Sequence, residues 1–474
     1  MSVTIANSSA FQWKPSRWLP LFFASLLLLC ASLWIASSLV VLSIAVGGVS
    51  LWMMHRLVGV FNLTRLNIAS FFYWIYLAVI LTPGFFIFNE EITSSRINFL
   101  FGIESVLITV PIGIFLANRL FHFKRVEIVE HFQTDVNSKP LSLVQTKIYL
   151  AILALGVLLI VLNILETPVI PLFYLIRNPG EALTAALLRE DAFKFLNSPL
   201  TYVYYVFRGT VFPFLIMVAF GCYRFEKVKM WRGLFWFALI CGVGYASLTI
   251  EKSHVATVFG LLFLFVYLLN GGKVSKFTAI AAPVLFLSFP AMVVLLAYQG
   301  SEGGTFGGLF QALGNRLFYS PAQIVYAYFE VFPRLVPFQH GASLVKIAHL
   351  LGWRAIDIPN TVGLYMTEGT GDLDTITANS CFIGNLNADF GLPGVVFGGV
   401  LAGLLMQMVT IYFFRRPKTV VNLAGYAICM WSFGILVASA LPTALLSGGV
   451  SFAILLTWCL GFRGYRGRLV AVPQ

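Results

Sequence analysis

Apolar runs of about 17–25 residues follow one another along nearly the whole chain, each long enough for a helix to cross a hydrocarbon core of roughly 30 Å. Inside lipid a backbone can satisfy its own hydrogen bonds only as a helix or a closed barrel. No period-two alternation recurs, and phenylalanine occurs 45 times, so the runs specify helices and not barrel strands. With 59% hydrophobic and 11% charged residues and a mean hydropathy of +0.87, a soluble fold of 474 residues would lack the charge to cover its surface. The expectation is an all-α polytopic membrane protein, a single integral membrane domain over 1–474. Twelve spans are predicted, near 19–36, 38–54, 68–88, 99–117, 148–165, 202–222, 234–250, 255–270, 277–297, 381–412, 420–440 and 447–462. Lys14 and Arg17 precede the first run, which carries no small-residue cleavage site, so no cleavable signal is expected.

Basic residues set the expected orientation. With the N-terminus inside, 21 of the 31 Lys and Arg fall on the cytoplasmic side: Lys14, Arg17, Arg56, Arg65, the cluster Arg119 to Lys147, Arg224 to Arg232, Lys273, Lys276, Arg415 to Lys418, and Arg463 to Arg468. Only Glu127, Glu130, Asp135 and Glu226 oppose them there. That asymmetry is the positive-inside pattern. It accounts for most of the net charge of +12, so nucleic-acid binding, which needs a soluble basic face, is not expected. Both termini are predicted to be cytoplasmic.

Two large loops then face outward, 166–201 and 298–380. In the first, the apolar spacing of Ala182, Ala185, Ala186, Leu188, Phe193 and Phe195 predicts a short amphipathic helix between Pro179 and Leu196, with Arg177, Arg189 and Lys194 toward the headgroups; a lid or connector over the bundle is the alternative. The second loop holds six of the 19 acidic residues: Glu302, Glu330, Asp357, Glu368, Asp372 and Asp374. It breaks from its helix at the glycine-rich Gln299 to Gly308. Helical periodicity resumes from Asn315 to Pro333, another short helix is predicted from Ser343, and the acidic turn Tyr365 to Ser380 leads into the next span. Aromatics in such a loop anchor to headgroups or stack on sugar rings; glycine and carboxylates suit a polyhydroxylated ligand but also ordinary surface turns.

Charges near membrane depth are the next candidates. Arg208, in YYVFRGTVFP, sits where an arginine costs roughly 2.5–3.5 kcal/mol on insertion scales, so it needs a partner, a wet cavity or a path to the headgroups. Glu251, Lys252, Ser253 and His254 form a compact polar turn between two spans, either a simple ion pair or a place to hold a phosphate or a catalytic group. Glu104 and Asp389 lie in apolar sequence, and Asp389, in NADFGLPG, is expected to pair with a loop arginine or to act as a carboxylate. The six cysteines lie in or at the ends of apolar spans without metal-ligand spacing and read as packing residues. No phosphate-binding loop, dinucleotide fingerprint, HExxH or GxSxG is present, so neither nucleotide nor metal is expected as a cofactor.

Three segments carry a resemblance. TANSCFIGNLNADFGLPGVVFGGVLAGLLMQ, from Thr377 to Gln407, resembles the end of the large periplasmic loop and the following span of Wzy-type O-antigen and exopolysaccharide repeat-unit polymerases. NRLFYSP, from Asn315 to Pro321, is similar to their Arg-aromatic-Pro segment, and EKSHVATVFGLLFLF to the polar turn before another of their spans. The topology of the whole chain resembles theirs as well. The resemblance implies a GT-C-like membrane glycosyltransferase that polymerises undecaprenyl-pyrophosphate-linked oligosaccharides at the outer face of the inner membrane. Its implied partners are that lipid-linked saccharide, the bilayer and a chain-length regulator.

Chemistry of that kind needs cations for a departing diphosphate and a base for the attacking hydroxyl. Arg208, Arg316, Arg334 and Arg354, assisted by Lys252, are the candidate diphosphate and substrate ligands. Asp389 is grouped with them, chiefly as a structural partner. Glu368, Asp372 and His340, in that order, are the candidate bases. An O-antigen ligase uses the same donor and is the alternative enzyme. A lipid-linked-saccharide flippase is the alternative of another class, opposed by the absence of an internal repeat and by the unequal loop lengths. A membrane acyltransferase lacks any paired-histidine or HxxxxD-like pattern here.

Overall fold

The computed structural model describes residues 38–88, 93–192, 198–297, 306–342, 356–369 and 377–461. The described residues are helical throughout, apart from turns and one isolated bridge between Asn137 and Thr419. In chain order the helices are α1 (Ser38–Val58), α2 (Ile68–Ile87), α3 (Ser94–Leu120), α4 (Arg125–Gln133), α5 (Leu143–Glu166), α6 (Pro171–Arg177), α7 (Ala182–Asp191), α8 (Leu200–Glu226), α9 (Lys229–Ser247), α10 (Lys252–Leu269), α11 (Lys276–Ala297), α12 (Phe306–Gly314), α13 (Ser320–Val331), α14 (Ile358–Met366), α15 (Phe382–Phe414), α16 (Val420–Ala438) and α17 (Leu441–Gly461).

Eight of them have the length and composition to cross a membrane: α2, α3, α5, α8, α11, α15, α16 and α17. The chain is a multi-pass membrane protein. Of the twelve predicted spans, 19–36 lies outside the described residues. Those near 38–54, 234–250 and 255–270 form α1, α9 and α10, and the apolar part of α10 is short, Ser253–Leu269. The core centres on α8 and α16, which are largely enclosed, while α5 and α11 turn most of their surface outward.

The closest crossing joins α3 and α15, and small residues permit it. A Cβ at Gly113 would lie 2.0 Å from the Val400 carbonyl oxygen, and one at Gly403 would lie 2.1 Å from that of Val110. Backbones in lipid associate by such close approach, because apolar side chains gain little by leaving acyl chains.

The turns sort into two faces. On one, Lys418 Nζ donates to the carbonyls of His131 (2.9 Å) and Thr134 (2.8 Å), Arg415 Nε to Glu127 (3.2 Å), and Arg224 Nη2 to Asn270 Oδ1 (2.8 Å). These contacts gather the basic turns at one end of the bundle. At the other end, the Leu172 amide donates to Leu248 O (3.3 Å) and the Gly180 amide to Leu296 O (2.8 Å), folding α6 and α7 down over the α9–α10 turn and the end of α11. A helix, α7, lies within the stretch 179–196, its Ala185 packing with Leu175, Ala246, Ile250 and Val255; Arg189, predicted to face the headgroups, is half-buried near Glu251.

In the second large loop, the predicted 315–333 helix is a π-helical turn, Asn315–Tyr319, followed by α13. Asp357 caps α14 by accepting the Asn360 amide at 3.1 Å. The helix predicted from Ser343 falls on 343–355, outside the described residues.

Candidate functional site

Arg208 builds the site. It lies in a π-helical turn, Phe207–Val211, within α8. Such a turn inserts an extra residue into a helix and recurs at functional positions. Its guanidinium is fully enclosed, with a side-chain exposure of 0%, and its neighbours are polar. Nη1 donates to Thr249 Oγ1 at 2.8 Å, while Nη2 meets Glu251 Oε2 at 2.5 Å and His254 Nε2 at 3.2 Å. The rings of Tyr204 and Tyr205 flank its Cζ at 5.6 and 5.2 Å, positions favourable for a cation on an aromatic face. An arginine at this depth thus has the partners its desolvation demands.

These contacts also fix the histidine. A guanidinium has no lone pair to offer, so His254 Nε2 accepts from it. His254 Nδ1, 2.9 Å from Glu251 Oε2, then carries the proton and donates to the carboxylate. Burial opposes a charged Glu251, but the hydrogen bond from His254 and the positive charges of Arg208 and Arg189 outweigh it and hold the group at about 2, below its ordinary 4.5. Glu251 and His254 keep 23% and 26% of their side chains exposed, so they are the members of the cluster that a ligand can touch. Arg189, on α7, is half-buried and near enough for its charge to act on Glu251 and Tyr205.

The other candidates fall elsewhere. Lys252 opens α10, next in chain to Glu251. Arg316 is exposed in the π-helical turn of the second loop, and Arg334 is exposed just beyond α13. His340 is exposed, with its backbone at φ 50° and its amide donating to Asp389 O at 2.9 Å. Glu368 is exposed just beyond α14 at φ 52°. Arg354 and Asp372 lie outside the described residues.

Asp389 is buried and sits where α15 is broken. Gly391 has φ 66° and ψ −160°, and a Cβ there would meet the Phe338 ring at 2.9 Å. Carbonyls released by the break take loop amides: Gln339 N–H donates to Ala388 O and His340 N–H to Asp389 O, both at 2.9 Å. Asp389 Oδ1 accepts the Gly341 amide at 3.1 Å. The NADFGLPG motif therefore ties the second loop to the bundle.

A second polar group belongs to the same loop and was not among the predicted site residues. Glu330 accepts from Tyr326 (2.6 Å) and Tyr365 (2.9 Å), and the buried Arg96 places its Cζ 5.5 Å from the centre of the Tyr326 ring. The i,i+4 spacing of Tyr326 and Glu330 was the only local signal for it. Among the described residues no group of three or more His, Cys, Asp or Glu is placed to hold a metal ion.

Comparison with protein-family models, curated proteins and solved structures finds no match for this chain.

Proposed function

We propose that this chain is a bacterial inner-membrane glycosyltransferase that polymerises undecaprenyl-pyrophosphate-linked oligosaccharide repeat units, with twelve spans of GT-C-like architecture and cytoplasmic termini. The observation that carries the reading is the cluster of Arg208, Glu251 and His254 under α7, at the end of the bundle away from the basic turns. By the positive-inside pattern that end faces outward.

Polymerisation requires a sugar hydroxyl to attack the anomeric carbon of a lipid-linked chain. The new C–O bond forms as the bond to the diphosphate breaks, and the electron pair leaves with the diphosphate. The hydroxyl proton needs an acceptor. His254 is the proposed acceptor: Glu251 holds its Nδ1–H, Nε2 takes the proton once the incoming hydroxyl displaces the 3.2 Å contact with Arg208, and the carboxylate then pairs the imidazolium. Glu251, held near 2, is too weakly basic to take the proton itself. Arg208 is a positioning residue: it is wholly enclosed and acts through Glu251 and His254. The half-buried Arg189 and the exposed Arg316 and Arg334 are the cations proposed to balance the departing diphosphate. The energy resides in the sugar–diphosphate bond, so no nucleotide is needed.

In cells lacking the chromosomal copy, the full-length protein should restore surface polymer, and His254→Phe or Glu251→Gln should leave glycolipids capped with single repeat units. Wild-type polymer length from both variants sinks the mechanism. Full-length polymer retained on undecaprenyl pyrophosphate points instead to a ligase, and repeat units held on the cytoplasmic side to a flippase.

A further inference from the structure

A cavity of about 1250 Å³ lies at the opposite, basic end of the bundle, between the turn before α2, the end of α4 and the α10–α11 turn. Arg65, Lys273, Lys276 and Lys418 line it against a single carboxylate, Asp135. Phe71, Phe263 and Tyr267 contribute apolar wall. The walls are tied together. Tyr267 Oη accepts the Leu66 amide at 2.8 Å and donates to Leu63 O at 2.9 Å. Gly272, at φ +82°, lies so close to the facing turn that a Cβ would sit 1.7 Å from Thr64 O.

The cavity does not close toward α11. Ile280, one of its lining residues, is 68% exposed, and Phe277 beside it is 81% exposed. That side of α11 belongs to the bundle's outward surface. A soluble anion would not need an apolar mouth of this kind. A lipid would, because its headgroup and chains must be met by cations and apolar surface in continuity.

We propose that this cavity holds the headgroup of an anionic phospholipid drawn from the leaflet at the basic end, with the phosphate among Arg65, Lys273 and Lys276 and the acyl chains running out along Ile280. The site is independent of the reaction proposed above.

The test uses the purified full-length protein in phosphatidylcholine nanodiscs doped with phosphatidylglycerol, counting by native mass spectrometry the phosphatidylglycerol that stays bound. Lys273→Gln combined with Lys276→Gln should lower retention by about thirtyfold, as loss of two juxtamembrane cations predicts. The corresponding double arginine variant should retain the lipid. Lys147→Gln, an exposed basic residue at the same end but outside the cavity, should change nothing. Ile280→Gln leaves every charge in place and should also weaken retention, which keeps the test decisive if the double lysine variant fails to fold. Unchanged retention in both cavity variants overturns the proposal. So does an equal loss in Lys147→Gln, which indicates a diffuse surface field, or displacement of the lipid by inorganic phosphate.

Discussion

An arginine enclosed at membrane depth is tolerated only while its partners stay in place. Removing it by Arg208→Ala leaves Glu251 and His254 without the donor that organises them, and should cost about 3 kcal/mol, the lower end for breaking a buried pair, since Glu251 retains some exposure. Arg208→Lys should rescue little, because one ammonium cannot reproduce a fork that reaches Thr249 and Glu251 together. Thermal unfolding in detergent reads both. Combining Arg208→Ala with Glu251→Gln should cost less than the sum of the single changes, the signature of direct coupling. The pH response has a defined sign. Glu251 is held at about 2 against an ordinary value of 4.5, so its contribution to stability is complete above about 4.5 and is lost as pH falls toward 2. Unfolding temperatures measured across that window should fall more steeply for the wild type than for Glu251→Gln.

At the level of elements, the broken helix α15 and its crossing with α3 invite separate tests. Gly391→Ala places a side chain at a left-handed φ against the Phe338 ring and should destabilise the fold by about 1–3 kcal/mol. Gly403→Leu drives a branched chain into the α3 backbone at Val110 and should abolish recovery of folded protein in detergent extracts, measured by gel filtration. Sequence alone carried part of this. Helix α7 was legible because its apolar spacing is local, and the turn Glu251 to His254 stood out as the only charges between two apolar runs. The break at Gly391 lay inside a segment that resembled a family motif, so its glycine and proline read as family pattern while their geometry did not. What the chain could not disclose was pairing at a distance. Arg208 meets Glu251 across 43 residues, and Glu330 meets Tyr365 across 35. No local period encodes which helix ends converge, so the contacts of Arg208 with Glu251 and His254 are not legible from the chain alone.

For the whole molecule, charge distinguishes the two ends of the bundle. The structure gathers the basic turns at one end and the Arg208 cluster at the other. The proposed topology predicts that a cysteine at Thr184, exposed on α7, reacts with a membrane-impermeant thiol reagent in intact cells, while one at Lys139, exposed beside the basic turns, reacts only after permeabilisation. Background labelling should be low, since the described native cysteines are buried or half-buried. The reverse pattern would turn the protein over and place the Arg208 cluster in the cytoplasm.

The π-helical turn at Phe207–Val211 also limits which length changes the chain can survive. Deleting Gly209, whose surroundings are open enough that a Cβ would meet nothing within 4 Å, removes no packing. It would return the helix to α register, and because the turn already takes up its extra residue, the two halves of α8 would keep nearly the phase they have now. Phe212 and Phe214 would stay in the core they fill, while the wider turn that carries Arg208 would be lost. Lineages of this protein should therefore accept a one-residue gap here more readily than elsewhere in α8, with loss of the Arg208 geometry.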